Sequence, residues 1–263
     1  MLNTKKLQYR ICELASKSGE GHVPSALSIL DITWVIYDKF MNLNNIKKQK
    51  LNREHFILSK GHASLAQYVV LEKKGIKKKK KLDTYLSYNS DFGGHPDSNK
   101  VKGVEASTGS LGHGMPIAAG IAYAKLLLNI KSRVFCIVGD GECNEGTIWE
   151  TCLIASNHKL NNLICIIDKN KSTDRAIKID NIMKKFLSFN WNVVTCNGHS
   201  HENLIKVLKK KSSKPLAIIA NTTKGKGVKF MELNQHEWHH KKIDNATLKK
   251  IKNEIFKKLE KNL

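Results

Sequence analysis

Residues 133–170 read RVFCIVGDGECNEGTIWETCLIASNHKLNNLICIIDKN. The stretch opens with a short apolar run, 133–139 (RVFCIVG). It continues through a helix-compatible segment, 147–159, and closes with a second apolar run, 162–168 (NLICIID). Apolar runs of strand length separated by one helix length form a β-α-β unit, and strands this apolar are buried on both faces. The same alternation continues downstream: a helix over 182–189, a strand over 192–196, a helix over 202–210 and a strand over 215–221. Upstream lie two helices around the turn at 18–25, a short strand over 55–59, a helix over 63–74 and an alanine-rich helix over 117–128. Leu7, Ile11, Leu14 and Ala15 stand at the i, i+4, i+7, i+8 spacing that gives a helix one apolar face. The pattern predicts an α/β fold: a parallel sheet with helices on both faces, in a single domain over 1–263 that ends in a charged helix at about 245–262.

Composition narrows the function classes. There is no run of about 18 apolar residues, so no membrane span is expected. The first segment, MLNTKKLQYRICELASKSG, is charged throughout, so it is not read as a signal peptide. The six cysteines form no CxxC pair, and Cys136 and Cys165 fall within apolar strands. Reduced, buried thiols and a cytoplasmic location are the expectation. The formal charge of +22 suggests polyanion binding, but only Arg10, Arg53, Arg133 and Arg175 among 45 basic residues are arginine. Specific phosphate or base recognition leans on arginine forks. The lysines are scattered over every segment among many Asn and Ile, a compositional bias, and the run 77–81 reads as a solvated loop. No specific nucleic-acid partner is expected.

The strand ends carry the chemistry. Gly139-Asp140-Gly141 closes the first strand of the unit, and Asn170 follows after 28 intervening residues, at the end of the second. One β-α-β unit between them puts both side chains at the same sheet edge, on neighbouring strands or one strand apart. Ligands of such sheets bind at that edge. The two glycines allow a sharp turn and close approach of backbone to a ligand. The helix that follows directs its free N–H groups at an anion such as a diphosphate. Magnesium asks for about six oxygens, some of them from phosphates. Asp140, the Asn170 amide oxygen and one loop carbonyl suit the protein's share.

Residues 88–116 show no periodicity but hold six glycines, with His95 and His113 among them. A loop this long within a compact domain is usually functional. Further blocks are Ser18-Gly19-Glu20-Gly21-His22-Val23-Pro24-Ser25, Ser59-Lys60-Gly61-His62-Ala63, Gly94-His95-Pro96, the glycine loop 108–114 (TGSLGHG), Glu145-Gly146, Lys224-Gly225-Lys226-Gly227 and Glu237-Trp238-His239. In this order, over roughly residues 5–240, they resemble the transketolase family. The Asp140/Asn170 unit resembles the signature common to thiamine diphosphate enzymes.

The resemblance implies a thiamine diphosphate-binding fold, in the half that holds the diphosphate, with Mg²⁺ bound by Asp140, Asn170 and the main-chain carbonyl of Ser172. It implies cofactor contacts from Ser25, His62, Gly109, Ser110, Leu111, Gly141, Glu142, Asn170 and Lys224. His22, His62, His95 and His239 would line the substrate channel, and Glu145 would join a hydrogen-bonded network between two cofactor sites. Such an enzyme moves a two-carbon ketol unit from a ketose phosphate, such as xylulose 5-phosphate, to an aldose phosphate in the pentose phosphate pathway. Histidine suits proton transfer to and from sugar hydroxyls near neutral pH. His113 is left as a helper, and His55, His158, His199, His201, His236 and His240 are expected at the surface. The family also needs a pyrimidine-binding domain, which the sequence is not expected to hold. A separate C-terminal subunit, in a heterotetramer, is the implied partner.

Two departures from the family pattern stand out: no aspartate–glycine pair follows Asn170, and Val23 precedes Pro24. The competing readings are a subunit of a keto-acid dehydrogenase, a deoxyxylulose-phosphate synthase, or a non-catalytic cofactor-binding partner. The GHP and Glu-Trp-His blocks speak against the first two.

Overall fold

The computed structural model describes residues 2–19, 21–174 and 177–260. In chain order the elements are α1 (Leu2–Ser18), α2 (Val23–Lys39), α3 (Leu43–Lys47), β1 (His55–Leu58), α4 (Ser64–Lys73), α5 (Lys79–Leu82), α6 (Gly114–Leu127), β2 (Val134–Gly139), α7 (Gly146–Asn157), β3 (Leu163–Lys169), α8 (Ile182–Ser188), β4 (Asn192–Asn197), α9 (His201–Leu208), β5 (Leu216–Asn221), α10 (Lys229–Leu233) and α11 (Asn245–Glu260). The strands form one five-stranded sheet in the order β1-β2-β3-β5-β4. Every pairing is parallel. Asp140 and Asn170 therefore follow neighbouring strands, with Gly139 level with Asp168.

The apolar runs supply two cores at once. Phe135 and Ile137 of β2, Ile164 and Ile166 of β3, and Leu216 and Ile218 of β5 face α1, α2, α4, α9 and α11. The alternate residues Val134, Cys136, Val138, Leu163, Cys165, Ile167, Ala217 and Ile219 face α6, α7 and α8. This period-two division makes three layers. Helix α2 is buried from Val23 to Tyr37, so apolar residues occur on every side of it, with Ser25, Ser28, Asp31 and Thr33 buried among them. Leu7, Ile11, Leu14 and Ala15 of α1 are at most 4% exposed, so that stripe is a core face. The charged helix α11 docks on α1 through Ile251 and Ile255, with Tyr9 edge-on to Phe256 at 5.8 Å. All six cysteines are free and buried. The lysine run is solvent-facing but includes the helical turn α5, which buries Leu82.

Two features differ from the sequence reading. Helix α6 starts at Gly114 rather than residue 117, because a side chain there would meet Ser59 Cα at 2.5 Å and glycine lets the helix begin against β1. The loop before it is pinned rather than loose. Thr108 Oγ1 donates to Leu58 O at 2.6 Å, Tyr68 OH to His95 O at 2.9 Å and Ser64 Oγ to Gly94 O at 2.8 Å.

Candidate functional site

The C-terminal strand ends converge on a buried carboxylate. Asp168, near the end of β3, is fully buried. It accepts from Lys60 Nζ at 2.5 Å, Ser28 Oγ at 2.7 Å, Asn170 Nδ2 at 2.9 Å and the Thr222 hydroxyl. Burial alone would raise its pKa, but the Lys60 cation and these donors hold it below the ordinary carboxylate range. One side chain thus ties the ends of β1, β3 and β5 to α2. It also fixes the Asn170 amide: with Nδ2 on Asp168, the oxygen must turn the other way, where it accepts from Ser172 N at 3.0 Å. Sequence reasoning missed Asp168, Lys60, Ser28 and Thr222 as a set. The available signal was an aspartate closing an apolar strand beside a Ser-Lys-Gly-His turn.

Asp140 sits at the neighbouring strand end. Its Oδ1 accepts from Gly141 N at 2.8 Å and its Oδ2 from Lys171 N at 2.5 Å. Burial, and then the negative charge of Asp168, push its pKa up. A cation beside Asp140 would relieve that repulsion. Together with the outward amide oxygen of Asn170, the donors are hard oxygens of the kind magnesium takes. Among the described residues no group of three His, Cys, Asp or Glu gathers as a metal cluster. A cation here would therefore draw its remaining ligands from carbonyls, phosphates and water. Gly141 is required sterically, since a Cβ would come within 2.3 Å of Thr173 Cγ2. Directly after Asn170, Lys171 takes a left-handed turn, at φ 61°. Arg175, in the same loop, and Glu20, in the first histidine block, lie outside the described residues.

Glu142 has a different geometry from a ligand contact. Its carboxylate accepts from Gly112 N at 2.9 Å, Gly139 N at 3.0 Å and the Ser59 hydroxyl. It clamps the glycine loop to the ends of β1 and β2, and burial raises its pKa. Gly112, at φ +84°, lets the loop pass over α7, where a Cβ would lie 2.4 Å from Thr147 Oγ1.

A cavity of about 430 Å³ opens over this edge. Its walls bring together His22, Ser25, His62, His95, Leu111, Asp140, Gly141, Glu142, Asn170, Ser172, Lys224 and His239, joined by Lys60 and Thr173. Gly109 and Ser110 do not line the cavity, and Ser110 is exposed; a Cβ on Gly109 would lie 3.4 Å from His95 Cδ2. Glu145 is exposed at the N-cap of α7 and does not line the cavity. Ser25 Oγ is buried, without a hydrogen-bond partner, in the cavity wall. A buried orphan hydroxyl is costly unless a ligand completes it.

The histidines form one cluster. The His22 ring lies 5.2 Å from His62, 5.4 Å from His239 and 4.6 Å from His240. Burial, then the neighbouring imidazoles and Lys224, lower His22 to about 4. Burial, then Lys60, lower His62 to about 2. Both rings are neutral at pH 7. Burial, then Lys60, lowers Lys224 to about 8. Its Nζ lies 2.7 Å from His239 Nδ1. A charged lysine can only donate there, so the His239 proton is assigned to Nε2.

The expected surface histidines need correction at three positions, His55, His199 and His201. His240 is exposed, as expected, and its ring packs on His22. His55 is 8% exposed, with Nδ1 at 3.1 Å from Arg53 O. His199 and His201 both pair with Asp31. The partners of His240, His199 and His201 are far away in sequence, which is why local reading did not find them. His113 is exposed, with Nδ1 on Leu111 O at 3.1 Å, and does not line the cavity.

The family model "Transketolase, thiamine diphosphate binding domain" matches residues 5–261. The chain belongs to the transketolase family. It is 39% identical to one of the subunits of the apulose-4-phosphate transketolase of Actinobacillus succinogenes, covering 86% of this chain and 84% of the relative. It is 34% identical to the subunit of the same name from Phocaeicola vulgatus, covering 91% and 87%. The crystal structure of transketolase from Campylobacter jejuni superposes with a TM-score of 0.85 at 31% identity, covering 96% of this chain and 42% of that one. This is a thiamine diphosphate-binding transketolase domain of the kind that the two apulose-4-phosphate relatives carry as a separate polypeptide. Its class of chemistry is that of ketol-group transferases. Among the described residues no helix is long and apolar enough to cross a membrane.

Proposed function

We propose that the chain is the N-terminal subunit of a two-subunit transketolase, a single thiamine diphosphate- and Mg²⁺-binding domain over 1–263. With a C-terminal, pyrimidine-binding subunit it moves a two-carbon ketol unit from a ketose phosphate, such as xylulose 5-phosphate, to an aldose phosphate in the cytoplasmic pentose phosphate pathway. The observation that carries this reading is one cavity lined both by the oxygen ligands Asp140 and Asn170 and by the histidines 22, 62, 95 and 239. Asp140, Asn170 and the Ser172 carbonyl hold the metal. Lys224, the orphan Ser25 hydroxyl, the Gly141 turn and the Gly109–Leu111 backbone hold the cofactor, with Glu142 fixing that backbone from behind. Bound thiamine diphosphate supplies the electron sink for cleaving the bond beside a ketone. His22 and His62, neutral at working pH, can accept hydrogen bonds from sugar hydroxyls, and the Nε2–H of His239 can donate to a sugar oxygen. His95 closes the channel from the glycine-loop side.

A partner face supports the two-subunit reading. On the layer of α6 and α7, Leu127 is 65% exposed, Leu128 59%, Leu153 62% and Ile154 55%. Apolar area of this density on one side marks a protein contact. Glu145 opens α7 on the same layer and is exposed, which suits a contact with a neighbouring site in a heterotetramer of two copies of each subunit. The names of the Actinobacillus and Phocaeicola relatives favour apulose 4-phosphate as a second donor to test.

The test is to mix the purified chain with its pyrimidine-binding partner and assay ketol transfer from xylulose 5-phosphate and from apulose 4-phosphate. Each protein alone should be inactive and the mixture active. Turnover by this chain alone, free of the partner by mass spectrometry, would refute the division of labour. Failure of the mixture with both donors would refute the reaction.

A further inference from the structure

Helix α2 carries a buried polar stripe at i, i+3, i+6. Ser25 faces the cavity, Ser28 donates to Asp168, and Asp31, 9% exposed, accepts from two imidazoles. Asp31 Oδ2 lies 3.0 Å from His199 Nδ1, and Asp31 Oδ1 lies 2.9 Å from His201 Nε2. The other nitrogen of His199, Nε2, accepts from the backbone N–H of Thr223 at 2.8 Å. A ring that accepts at Nε2 and faces a carboxylate at Nδ1 is the neutral Nδ1–H tautomer. Burial would raise the Asp31 carboxyl, but the hydrogen bonds from His199 and His201 hold it below the ordinary range, so it stays charged. Thr223 separates Thr222, whose hydroxyl holds Asp168, from Lys224 in the cavity wall. Gly198 allows the close approach, since a Cβ there would lie 2.4 Å from Thr222 Cγ2.

We propose that Asp31 and His199 form a positioning relay for the cofactor site: Asp31 orients His199, and His199 holds the Thr222–Lys224 turn in place. The inference rests on reading that cavity as the thiamine diphosphate site. Neither residue lines the cavity. Their effect runs through Thr222 to the Asp168–Asn170 pair, and through Lys224 to His239. The segment needs an outside anchor because it leaves the sheet here. Thr222 N still donates to Lys169 O at 3.2 Å, whereas the next amide, Thr223 N–H, is met by the imidazole. A carboxylate behind the imidazole makes the neutral ring a fixed acceptor rather than a rotating one.

Hydrogen exchange on the full chain reads the relay without cofactor. Replacing His199→Phe keeps a ring but removes both hydrogen bonds. Exchange at the Thr223 amide should then rise about tenfold or more, as for a buried hydrogen bond lost, while Ile218 and Ile219 in β5 keep their protection. Replacing His199→Gln retains a donor for Asp31 and an acceptor for Thr223 and should restore most of it. Acylation of Lys224, followed by mass spectrometry, should change in His199→Phe but not at the remote Lys125. In the assembled enzyme, thiamine diphosphate binding should weaken about tenfold in His199→Phe and recover in His199→Gln. Asp31→Asn, which keeps the side-chain size, repeats the comparison should the phenylalanine variant not fold. Unchanged Thr223 exchange in these variants, or loss of protection spread evenly through β5, would overturn the relay. A wild-type enzyme that binds no thiamine diphosphate, while Thr223 still responds to His199, would remove the cofactor reading and leave the relay standing.

Discussion

Replacing Lys60→Met tests the buried ion pair at the centre of the strand ends. The methionine roughly keeps the length of the side chain and removes its charge. Asp168, fully buried, then loses the donor at 2.5 Å and, among the described residues, its one directly bonded cation. Removing one partner of a buried pair typically costs about 3–5 kcal/mol. Ser28, Asn170 and Thr222 still donate to the carboxylate, so the lower end, about 3 kcal/mol, is expected. For a chain of this size that is a fall in Tm of roughly 6–12 °C. The pH dependence has a definite sign. In the native protein Asp168 sits below its ordinary value, so its contribution is present above that value and is lost only as pH falls through the depressed one. In the variant, burial is no longer opposed by Lys60, so the folded pKa rises above the unfolded one. The folded variant then binds the extra proton, and its deficit shrinks as pH falls from about 8 towards about 5. Urea unfolding of both proteins at those two pH values measures this. A penalty below about 1 kcal/mol, the range of exposed pairs, or a penalty equal at both pH values, would refute the reasoning.

Other expectations are simpler. Ser25→Ala removes a buried hydroxyl without a partner, so it should leave Tm equal or slightly higher while weakening thiamine diphosphate binding; a clear loss of stability would mean that the hydroxyl is satisfied in the free protein. Gly112→Ala adds a Cβ at φ +84° and 2.4 Å from Thr147 Oγ1, and should cost about 1–3 kcal/mol in chemical denaturation. The ring proton shifts of His22 and His62, followed by NMR, should stay flat from about pH 8 down to about 5.5, as expected of groups lowered to about 4 and about 2. Since the unfolded chain takes up those protons first, both residues should make stability fall as pH drops below about 6.5. His22→Gln should reduce that slope.

The sheet was legible because buried parallel strands leave an unmistakable pattern. Residues 133–139, 162–168 and 215–221 are apolar through their interiors, and the structure divides them between two cores by strict alternation. The Asp140/Asn170 placement followed from one β-α-β unit and needed no long-range information. What escaped the sequence is what long-range pairing creates. Asp168 reaches Lys60 across 108 residues, and Asp31 reaches His199 across 168. Nothing local marks such pairs, since each residue alone is compatible with a turn or a surface. His240 is at the surface as expected, but its contact with His22 escaped for the same reason: it depends on how the segment after α10 folds back. The start of α6 was missed because a glycine at 114 reads as a loop residue, although the close approach to Ser59 requires it. The lysine run reads as a solvated loop, but the turn at α5 depends on burial of Leu82, which a run of lysines hides.

The most direct test of the cofactor site is thiamine diphosphate binding by the complex of this chain with its pyrimidine-binding partner, titrated calorimetrically with and without Mg²⁺. Tight binding is expected only with the metal present, and it should be lost in Asp140→Ala even at saturating Mg²⁺. Binding that ignores Mg²⁺, or that persists undiminished in Asp140→Ala, would contradict the assignment of Asp140 and Asn170 to a metal-bridged diphosphate.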